Sequence, residues 1–233
     1  MARHIGIIAV SPEGSAMCYR TLAQRVSSVA EPDARPLITL HSIPFSRYLA
    51  AIDHDDWEMV AQLLQWSSET LAAAGAEFCI LPDNLAHHAA PMARAGSPVP
   101  WLSMIDLVAD AVVSDGRKTV GLIGAKALTS GSIYQTVLGL RGVKVVVPEP
   151  GDLQAVNDII FRELIHGSVT EPSRERLHQI LGALSERGCE GVILGSTETP
   201  LLVTAETPEL SLYDPVHLLV AGAMDVALGR RPV

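Results

Sequence analysis

Hydrophobic positions along the chain fall into short aliphatic runs that alternate with longer amphipathic segments. Short runs rich in β-branched residues, bounded by glycine, proline or polar residues, are typical of strands buried on both faces. The predicted strands are residues 5–9, 37–41, 78–81, 101–103, 119–123, 144–147, 192–194 and 210–212. Apolar residues at helical spacing predict helices between them, including residues 56–74, 152–166, 173–187 and 216–228. Strands that alternate with helices predict an α/β fold with parallel sheets.

Several residues mark where these helices begin and end. Asp56 is of a type that caps helix N-termini, and Gly75 and Gly188 are suited to helix C-termini. Pro172 and Pro215 suit the first turn of the helices that they precede.

A weak internal repeat indicates that the fold consists of two similar halves. Three segments have counterparts, and they are residues 5–8 with 120–123, 75–81 with 188–194, and 102–106 with 210–214. The offsets are 115, 113 and 108 positions, in the same order, which favours duplication of a half of this length. A polar turn at 114–117 separates the halves. We therefore predict halves at residues 1–114 and 115–233, with the final helix, about 215–228, packing back on the first half.

Composition excludes several classes of protein. The 233 residues are 48% hydrophobic and only 18% charged, which excludes a disordered chain. The net charge of −9 and scattered basic residues exclude a nucleic-acid-binding stripe, and no apolar run is long enough for a membrane span. Three cysteines without clustered spacing argue against a disulfide framework. The cytoplasm is the expected location.

Candidate chemistry follows the strands, because open parallel sheets bind ligands beyond the carboxyl ends of their strands. The polar residues at those positions are Ser11, Asp83 and Asn84 in the first half and Thr129, Ser130, Ser196, Thr197 and Glu198 in the second. Pseudo-symmetry predicts that Asp83 and Ser196 lie opposite each other in one cleft. Two groups could then approach a small substrate from its two sides.

Two segments that follow predicted strands carry distinctive motifs. They are residues 81–87, Leu-Pro-Asp-Asn-Leu-Ala-His, and residues 194–202, Leu-Gly-Ser-Thr-Glu-Thr-Pro-Leu-Leu. They resemble the two signatures of the aspartate/glutamate racemase family. In the first signature a catalytic cysteine precedes Asn-Thr-Ala-His, and in the second Leu-Gly-Cys-Thr-Glu is followed by apolar residues. Weaker similarity at residues 5–13 and 120–134 extends the resemblance over nearly the whole chain. The resemblance implies a homodimeric isomerase that acts on an amino acid or a dicarboxylic acid. It also implies that the enzyme uses no metal and no cofactor such as pyridoxal phosphate.

The sequence departs from that family at both catalytic positions. The family uses two thiols to remove and return a proton at the substrate α-carbon, and Asp83 and Ser196 stand where those thiols are expected. An aspartate is an efficient base near neutral pH only if burial raises its pKa. A serine hydroxyl needs a strong neighbouring activator. Leu85 also replaces the usual threonine. Two-thiol racemisation is therefore excluded.

Several reactions stay open. Racemisation or epimerisation, decarboxylation, and isomerisation or lyase cleavage all pass through a stabilised carbanion or enolate. Hydrolysis with Asp83 positioning a water is a further alternative, as is a non-catalytic protein that binds carboxylates.

Each candidate residue has a structural alternative. Asp83 and Ser196 could be helix caps. Asn84 and Thr197 match the family and suit a substrate carboxylate at a helix N-terminus. Arg47 is a candidate clamp for a carboxylate and equally a surface arginine.

Other polar residues are interpreted as structural. His87 and His88 lack a ligand set at recognisable spacing, and residues 53–56 are better explained as a loop that ends in a helix cap. Cys79 lies in a predicted buried strand and is interpreted as an inert core thiol. His217 is out of register with the family histidine and receives no role.

Overall fold

The computed structural model describes residues 2–203 and 210–233, in which strands and helices alternate. The strands are β1 (Ile5–Ala9), β2 (Ile38–Ser42), β3 (Phe78–Ile80), β4 (Trp101–Leu102), β5 (Thr119–Ile123), β6 (Lys144–Val146), β7 (Gly191–Leu194) and β8 (Ser211–Tyr213). The helices are α1 (Pro12–Ser27), α2 (Phe45–Asp53), α3 (Trp57–Ala73), α4 (Ala90–Ala95), α5 (Met104–Ser114), α6 (Lys126–Ser130), α7 (Ile133–Gly139), α8 (Pro150–Arg162), α9 (Glu171–Glu186) and α10 (Pro215–Ala227). Short 3₁₀ turns lie at Pro32–Ala34, Ala86–His88, Leu164–His166 and Thr199–Leu201.

The strands form two four-stranded sheets with matching topology. One sheet has the order β2-β1-β3-β4 and the other has the order β6-β5-β7-β8. Every neighbouring pair of strands is parallel. The predicted α/β fold with parallel sheets flanked by helices is confirmed.

The chain divides into two compact units. The first contains residues 1–104 and 216–233, and the second contains residues 105–215. The boundary predicted from the sequence, between residues 114 and 115, lies ten residues later, because all but the first residue of α5 belongs to the second unit. Each unit has its own apolar core between its sheet and its helices.

The predicted helix boundaries are largely confirmed. The Asp56 side chain accepts a hydrogen bond from Met59 N at 2.9 Å and caps α3. Gly75 and Gly188 adopt positive φ angles of 94° and 82°, which glycine tolerates without steric cost. Pro172 lies in the first turn of α9, and Pro215 begins α10.

One predicted helix is too long. The predicted helix at 152–166 is α8, which begins at Pro150 and ends at Arg162, and a separate 3₁₀ turn covers Leu164–His166. Gly167 then adopts a left-handed conformation, with φ of 71°. The apolar periodicity continues across this break, so the hydrophobic pattern alone did not reveal it.

The repeated glycine in the first strand of each unit has a packing cause. A Cβ added at Gly6 would lie 3.0 Å from Ala76 Cβ and from Cys79 Sγ. At the equivalent position, a Cβ on Gly121 would lie 2.9 Å from Leu184 Cδ1. A neighbouring helix or its following turn approaches the strand closely in both units, which accounts for this part of the repeat.

The glutamates that recur in the repeat, Glu77 and Glu190, have the same structural role in both units. The Glu77 carboxylate accepts a hydrogen bond from His4 N at 2.8 Å. Glu190 Oε2 accepts from Lys118 N and Thr119 N, at 2.6 and 3.0 Å. Each glutamate therefore fastens the start of the neighbouring strand, β1 or β5.

All three cysteines are buried. Burial raises the pKa of the Cys79 thiol to about 12, and it also raises that of Cys189. Cys79 lies in β3 as an unreactive core thiol, as the sequence predicted. No helix among residues 2–203 and 210–233 is long and apolar enough to cross a bilayer.

Candidate active site

The first group of candidate residues follows two neighbouring strands of the first unit. Strands β1 and β3 are paired in parallel, with Ile7 opposite Ile80. Ser11 and Asp83 therefore emerge at the same carboxyl edge of the sheet. Ser11 is buried and is the N-cap residue of α1.

Asp83 is half-buried and organises the loop after β3. Its Oδ1 accepts a hydrogen bond from Ala86 N at 2.8 Å, at the start of the 3₁₀ turn Ala86–His88. Its backbone oxygen lies 2.7 Å from His87 Nδ1, which must carry the proton because a carbonyl oxygen only accepts. Asp83 therefore orders this turn as the capping alternative expects of a carboxylate on a backbone N–H, although the N-cap residue of the turn is Leu85.

Asn84 and His87 surround Asp83 with buried polar groups. Both side chains are buried in the loop, whereas His88 is exposed. The His88 ring packs against Trp57, with ring centroids 4.4 Å apart. The two histidines therefore make separate structural contacts. In the described part of the chain, no group of three His, Cys, Asp or Glu side chains could hold a metal ion.

Tyr48 is a neighbour of Asp83 that the sequence analysis missed. The pKa of Tyr48 is raised to about 12, chiefly by burial; a hydrogen bond with Ser67 lowers it, the Asp83 charge raises it and the Arg47 charge lowers it. Tyr48 is fully buried in α2 and neutral near pH 7, and Asp83 is close enough to act on it electrostatically. Its position directly after Arg47, on the buried side of a short helix, was the only available signal.

Arg47 itself is exposed beside an exposed tryptophan. Its guanidinium carbon lies 5.6 Å from the centre of the Trp66 ring, which is cation–π geometry. Arg47 also influences Tyr48, as Asp83 does, so these three residues belong to one neighbourhood of the first unit. Both interpretations of Arg47, carboxylate clamp and surface arginine, stay open.

A close backbone contact fixes the loop after β7 in the second unit. Gly195 N donates to Ile123 O at 2.6 Å. A Cβ at Gly195 would lie 2.6 Å from Leu128 Cδ2 and 2.7 Å from Ile123 O. Only glycine fits where the end of β7 passes the end of β5 and α6. This contact sets the position at which Ser196 leaves the sheet.

Ser196 and Glu198 form a buried hydrogen-bonded pair in this loop. Ser196 is 8% exposed and Glu198 is 4% exposed. Ser196 Oγ donates to Glu198 Oε2 at 2.7 Å, and Glu198 N donates weakly to Ser196 Oγ at 3.4 Å. The sequence singles out both residues among the polar positions after the strands but does not predict this contact.

The remaining second-unit candidates differ in burial. Thr197 and Thr129 are buried, and Ser130 is exposed at the end of α6. Thr129 Oγ1 points to the backbone oxygens of Ala125 and Lys126, at 3.3 and 3.1 Å, within its own helix. The Thr129 hydroxyl therefore donates to nearby backbone oxygens, and toward other groups its oxygen can act as an acceptor.

His217 makes a contact within the first unit. Its Nε2 lies 2.7 Å from Arg25 Nη2. Because an arginine only donates, Nε2 accepts and the proton of the neutral ring is on Nδ1.

The sequence matches a family profile described as Asp/Glu/Hydantoin racemase over residues 7–223. An Asp/Glu racemase structure from Yersinia pestis superimposes with a TM-score of 0.87 at 29% identity and covers 97% of this chain and 99% of its own. An aspartate racemase homologue from Pyrococcus horikoshii gives 0.82 at 28% identity, with 97% and 99% covered. A glutamate racemase from Francisella tularensis, in complex with D-glutamate, gives 0.71 at 15% identity, covers 98% and 82%, and shows the fold alone.

Proposed function

Because the chain belongs to the Asp/Glu/Hydantoin racemase family, we propose that it is a cofactor-independent isomerase that transfers protons at carbon. Its proposed substrate is a small carboxylate, an amino acid or a dicarboxylic acid. In this proposal Asp83 and Ser196 stand in place of the two thiols that the sequence resemblance implies.

The observation that carries this proposal is the equivalent placement of the two residues. Asp83 follows β3 and Ser196 follows β7, and these strands hold the same position in two sheets of matching order. Each residue lies in a loop with buried polar neighbours, and each side chain has a defined hydrogen bond. Equivalent placement of two oriented groups supports the proposal that each unit contributes one proton-transfer group.

Asp83 is the proposed base for the carbon-bound proton. Its carboxylate is oriented by Ala86 N and is half-buried, so a substrate can reach it while bulk water is partly excluded. Abstraction breaks the C–H bond, moves the proton to the carboxylate and leaves the electron pair on carbon.

Substrate binding is assigned to the polar residues around these two groups. Asn84 and Thr197 are buried next to Asp83 and Ser196 in the chain and are the proposed contacts for the substrate carboxylate. The other proposed contacts are Ser11, Arg47, Thr129, Ser130 and Glu198.

Cellular location and assembly form a separate part of the proposal. We propose a cytoplasmic homodimer, as the family resemblance implies. Sedimentation velocity at several concentrations tests the assembly, and a single monomeric species throughout would contradict it.

Proton NMR in heavy water tests the proposed chemistry directly. The purified protein is incubated with amino acids, hydroxy acids and dicarboxylic acids, and loss of an α-proton signal reports carbanion formation. Asp83→Asn keeps the shape of the side chain but removes the base, so we expect the exchange rate to fall by at least about 100-fold. Asp33→Asn, which changes an exposed carboxylate, is the matched control and is expected to exchange at the wild-type rate.

The product distinguishes the reactions within this class. An inverted centre identifies racemisation or epimerisation, whereas a decarboxylated or cleaved product assigns a different reaction to the same site. Ligand binding without exchange or product would contradict the proposal and favour a carboxylate-binding protein. Unchanged exchange in folded Asp83→Asn would exclude Asp83 as the base.

A further inference from the structure

Ser196 and Glu198 are buried together in the loop after β7, and a hydrogen bond joins their side chains. Both are more than nine-tenths buried, and the Oγ–Oε2 distance of 2.7 Å is that of a well-formed O–H···O hydrogen bond. Only one residue separates them in the chain, so the turn at the carboxyl end of β7 sets their geometry.

The direction of this hydrogen bond determines what Ser196 can do. A serine hydroxyl has one proton, and an ionised carboxylate only accepts. With its proton directed at Glu198, Ser196 presents oxygen lone pairs to other groups and cannot at the same time donate to a substrate oxyanion. This arrangement disfavours the role of simple hydrogen-bond donor and favours a reactive oxygen.

We propose that Glu198 accepts the Ser196 proton as Ser196 Oγ reacts, so that a serine–carboxylate pair takes over the role of the missing second thiol. A serine hydroxyl is a far weaker acid than a carboxylic acid, so the proton moves only as Oγ forms its new bond. In proton abstraction, which rests on the proposed function, the substrate C–H bond breaks and its electron pair stays on carbon. Oγ takes that proton while its original proton passes to Glu198.

The same pair makes Ser196 a nucleophile toward a phosphorus electrophile. With a small dialkyl fluorophosphate, the Oγ–P bond forms, the P–F bond breaks, and fluoride leaves with the electron pair. The hydroxyl proton passes to Glu198. This reaction needs no knowledge of the natural substrate.

Labelling by diisopropyl fluorophosphate, read by intact mass and peptide mapping, tests the proposal. We expect one adduct on Ser196 of the wild-type protein and none at this site in Ser196→Ala. Glu198→Gln removes the proton acceptor in nearly the same volume and should slow labelling by at least about 100-fold. Glu198→Asp restores a carboxylate and is expected to recover part of the rate, which a purely structural glutamate would not predict.

Thr199→Val is the matched control variant. Thr199 lies in the same loop, is buried, and its hydroxyl has no hydrogen-bond partner among the described residues. Replacing it perturbs the loop without touching the pair, so labelling should continue at the wild-type rate. Equal slowing in Thr199→Val and Glu198→Gln would show that loop packing, not proton transfer, controls Ser196.

Ser196→Cys separates low reactivity from blocked access. Its alkylation by iodoacetamide, followed against pH, is compared with that of the Ser196→Cys/Glu198→Gln double variant. We expect the pKa of the new thiol to fall by about one unit in the double variant, because the adjacent negative charge is removed. The native cysteines are buried and contribute little background.

Two results would overturn the proposal. Alkylation of the introduced thiol in Ser196→Cys, together with an unlabelled Ser196 in the wild-type protein, would show that the site is reachable and that the serine is unreactive. An introduced thiol that is itself unreactive would show that small molecules do not reach this position. Labelling and isotope exchange fail independently. Labelling without isotope exchange would support the serine–carboxylate pair and contradict the proposed isomerase function. Isotope exchange without labelling would support the isomerase function and contradict the serine–carboxylate pair.

Discussion

At the scale of single residues, the loop after β7 shows how one backbone contact determines a candidate site. Gly195 lets the chain turn tightly against Ile123 and Leu128, and the hydrogen bond between Ser196 and Glu198 follows directly after this turn. The corresponding loop after β3 uses a different device, since the Asp83 carboxylate itself holds the turn through Ala86 N. The two positions thus share a place in the fold, but different contacts orient them.

Gly195→Ala is expected to destabilise the second unit. The added methyl carbon would lie 2.6 Å from Leu128 Cδ2 and 2.7 Å from Ile123 O, and the backbone oxygen cannot move as a side chain can. Overpacking of this kind costs about 1–3 kcal/mol. Urea unfolding followed by circular dichroism measures the loss. Gly139→Ala, at an exposed position with no atom within 4 Å of the added carbon, is the control, and equal effects would contradict the argument.

At the scale of helices and strands, the residues at helix ends were the best guide to where the helices begin and end. Asp56, Gly75 and Pro215 each act at the backbone of their own segment, so their effect follows from residue type and position. The sequence wrongly predicts that α8 continues to residue 166. The 3₁₀ turn at Leu164–His166 preserves the apolar spacing of the helix, although its hydrogen bonding differs.

Asp56→Ala tests the cap of α3. The variant removes the acceptor for Met59 N and should lower the free energy of unfolding by about 1 kcal/mol. Chemical denaturation measures this change. Asp56→Asn, which keeps a capping oxygen, is expected to retain most of the stability. Equal losses in both variants would show that the charge of Asp56 matters rather than its cap.

At the scale of the whole molecule, the duplication extends from sheet order to individual anchoring contacts. Both sheets have the same order, with a glycine in the first strand and a glutamate before the third. Glu77 and Glu190 both bind backbone N–H groups at the start of the neighbouring strand. These contacts explain why segments more than 100 positions apart resemble each other.

The anchoring glutamate of the second unit predicts a response to acid. Hydrogen bonds from Lys118 N and Thr119 N lower the pKa of Glu190 below its ordinary value of 4.5. The folded state therefore favours the ionised form. The stabilisation is complete above the unfolded-state pKa and is lost as pH falls through the lower folded-state value.

Glu190→Gln should therefore reduce the stability difference between pH 7 and pH 3. Urea unfolding at both pH values, wild type against variant, measures that difference. Glu186→Gln, at an exposed position on α9, is the control and is expected to leave it unchanged. If the stability of Glu190→Gln changes between pH 7 and pH 3 as much as that of the wild type, the role assigned to this carboxylate is contradicted.

The α/β class, the parallel strands, most helix ends and the family could be predicted from the sequence, because these depend on local patterns and short motifs. The motifs also indicate that Asp83 and Ser196 occupy positions where thiols are expected. The groups that those two residues contact could not be predicted, because they depend on how the chain folds. Tyr48 lies 35 positions before Asp83, and only folding brings the Asp83 charge close enough to raise the pKa of Tyr48. Glu198 is a near neighbour of Ser196 in the chain, but packing of the loop after β7 directs its carboxylate to the serine hydroxyl, because side-chain direction depends on burial and on close backbone contacts.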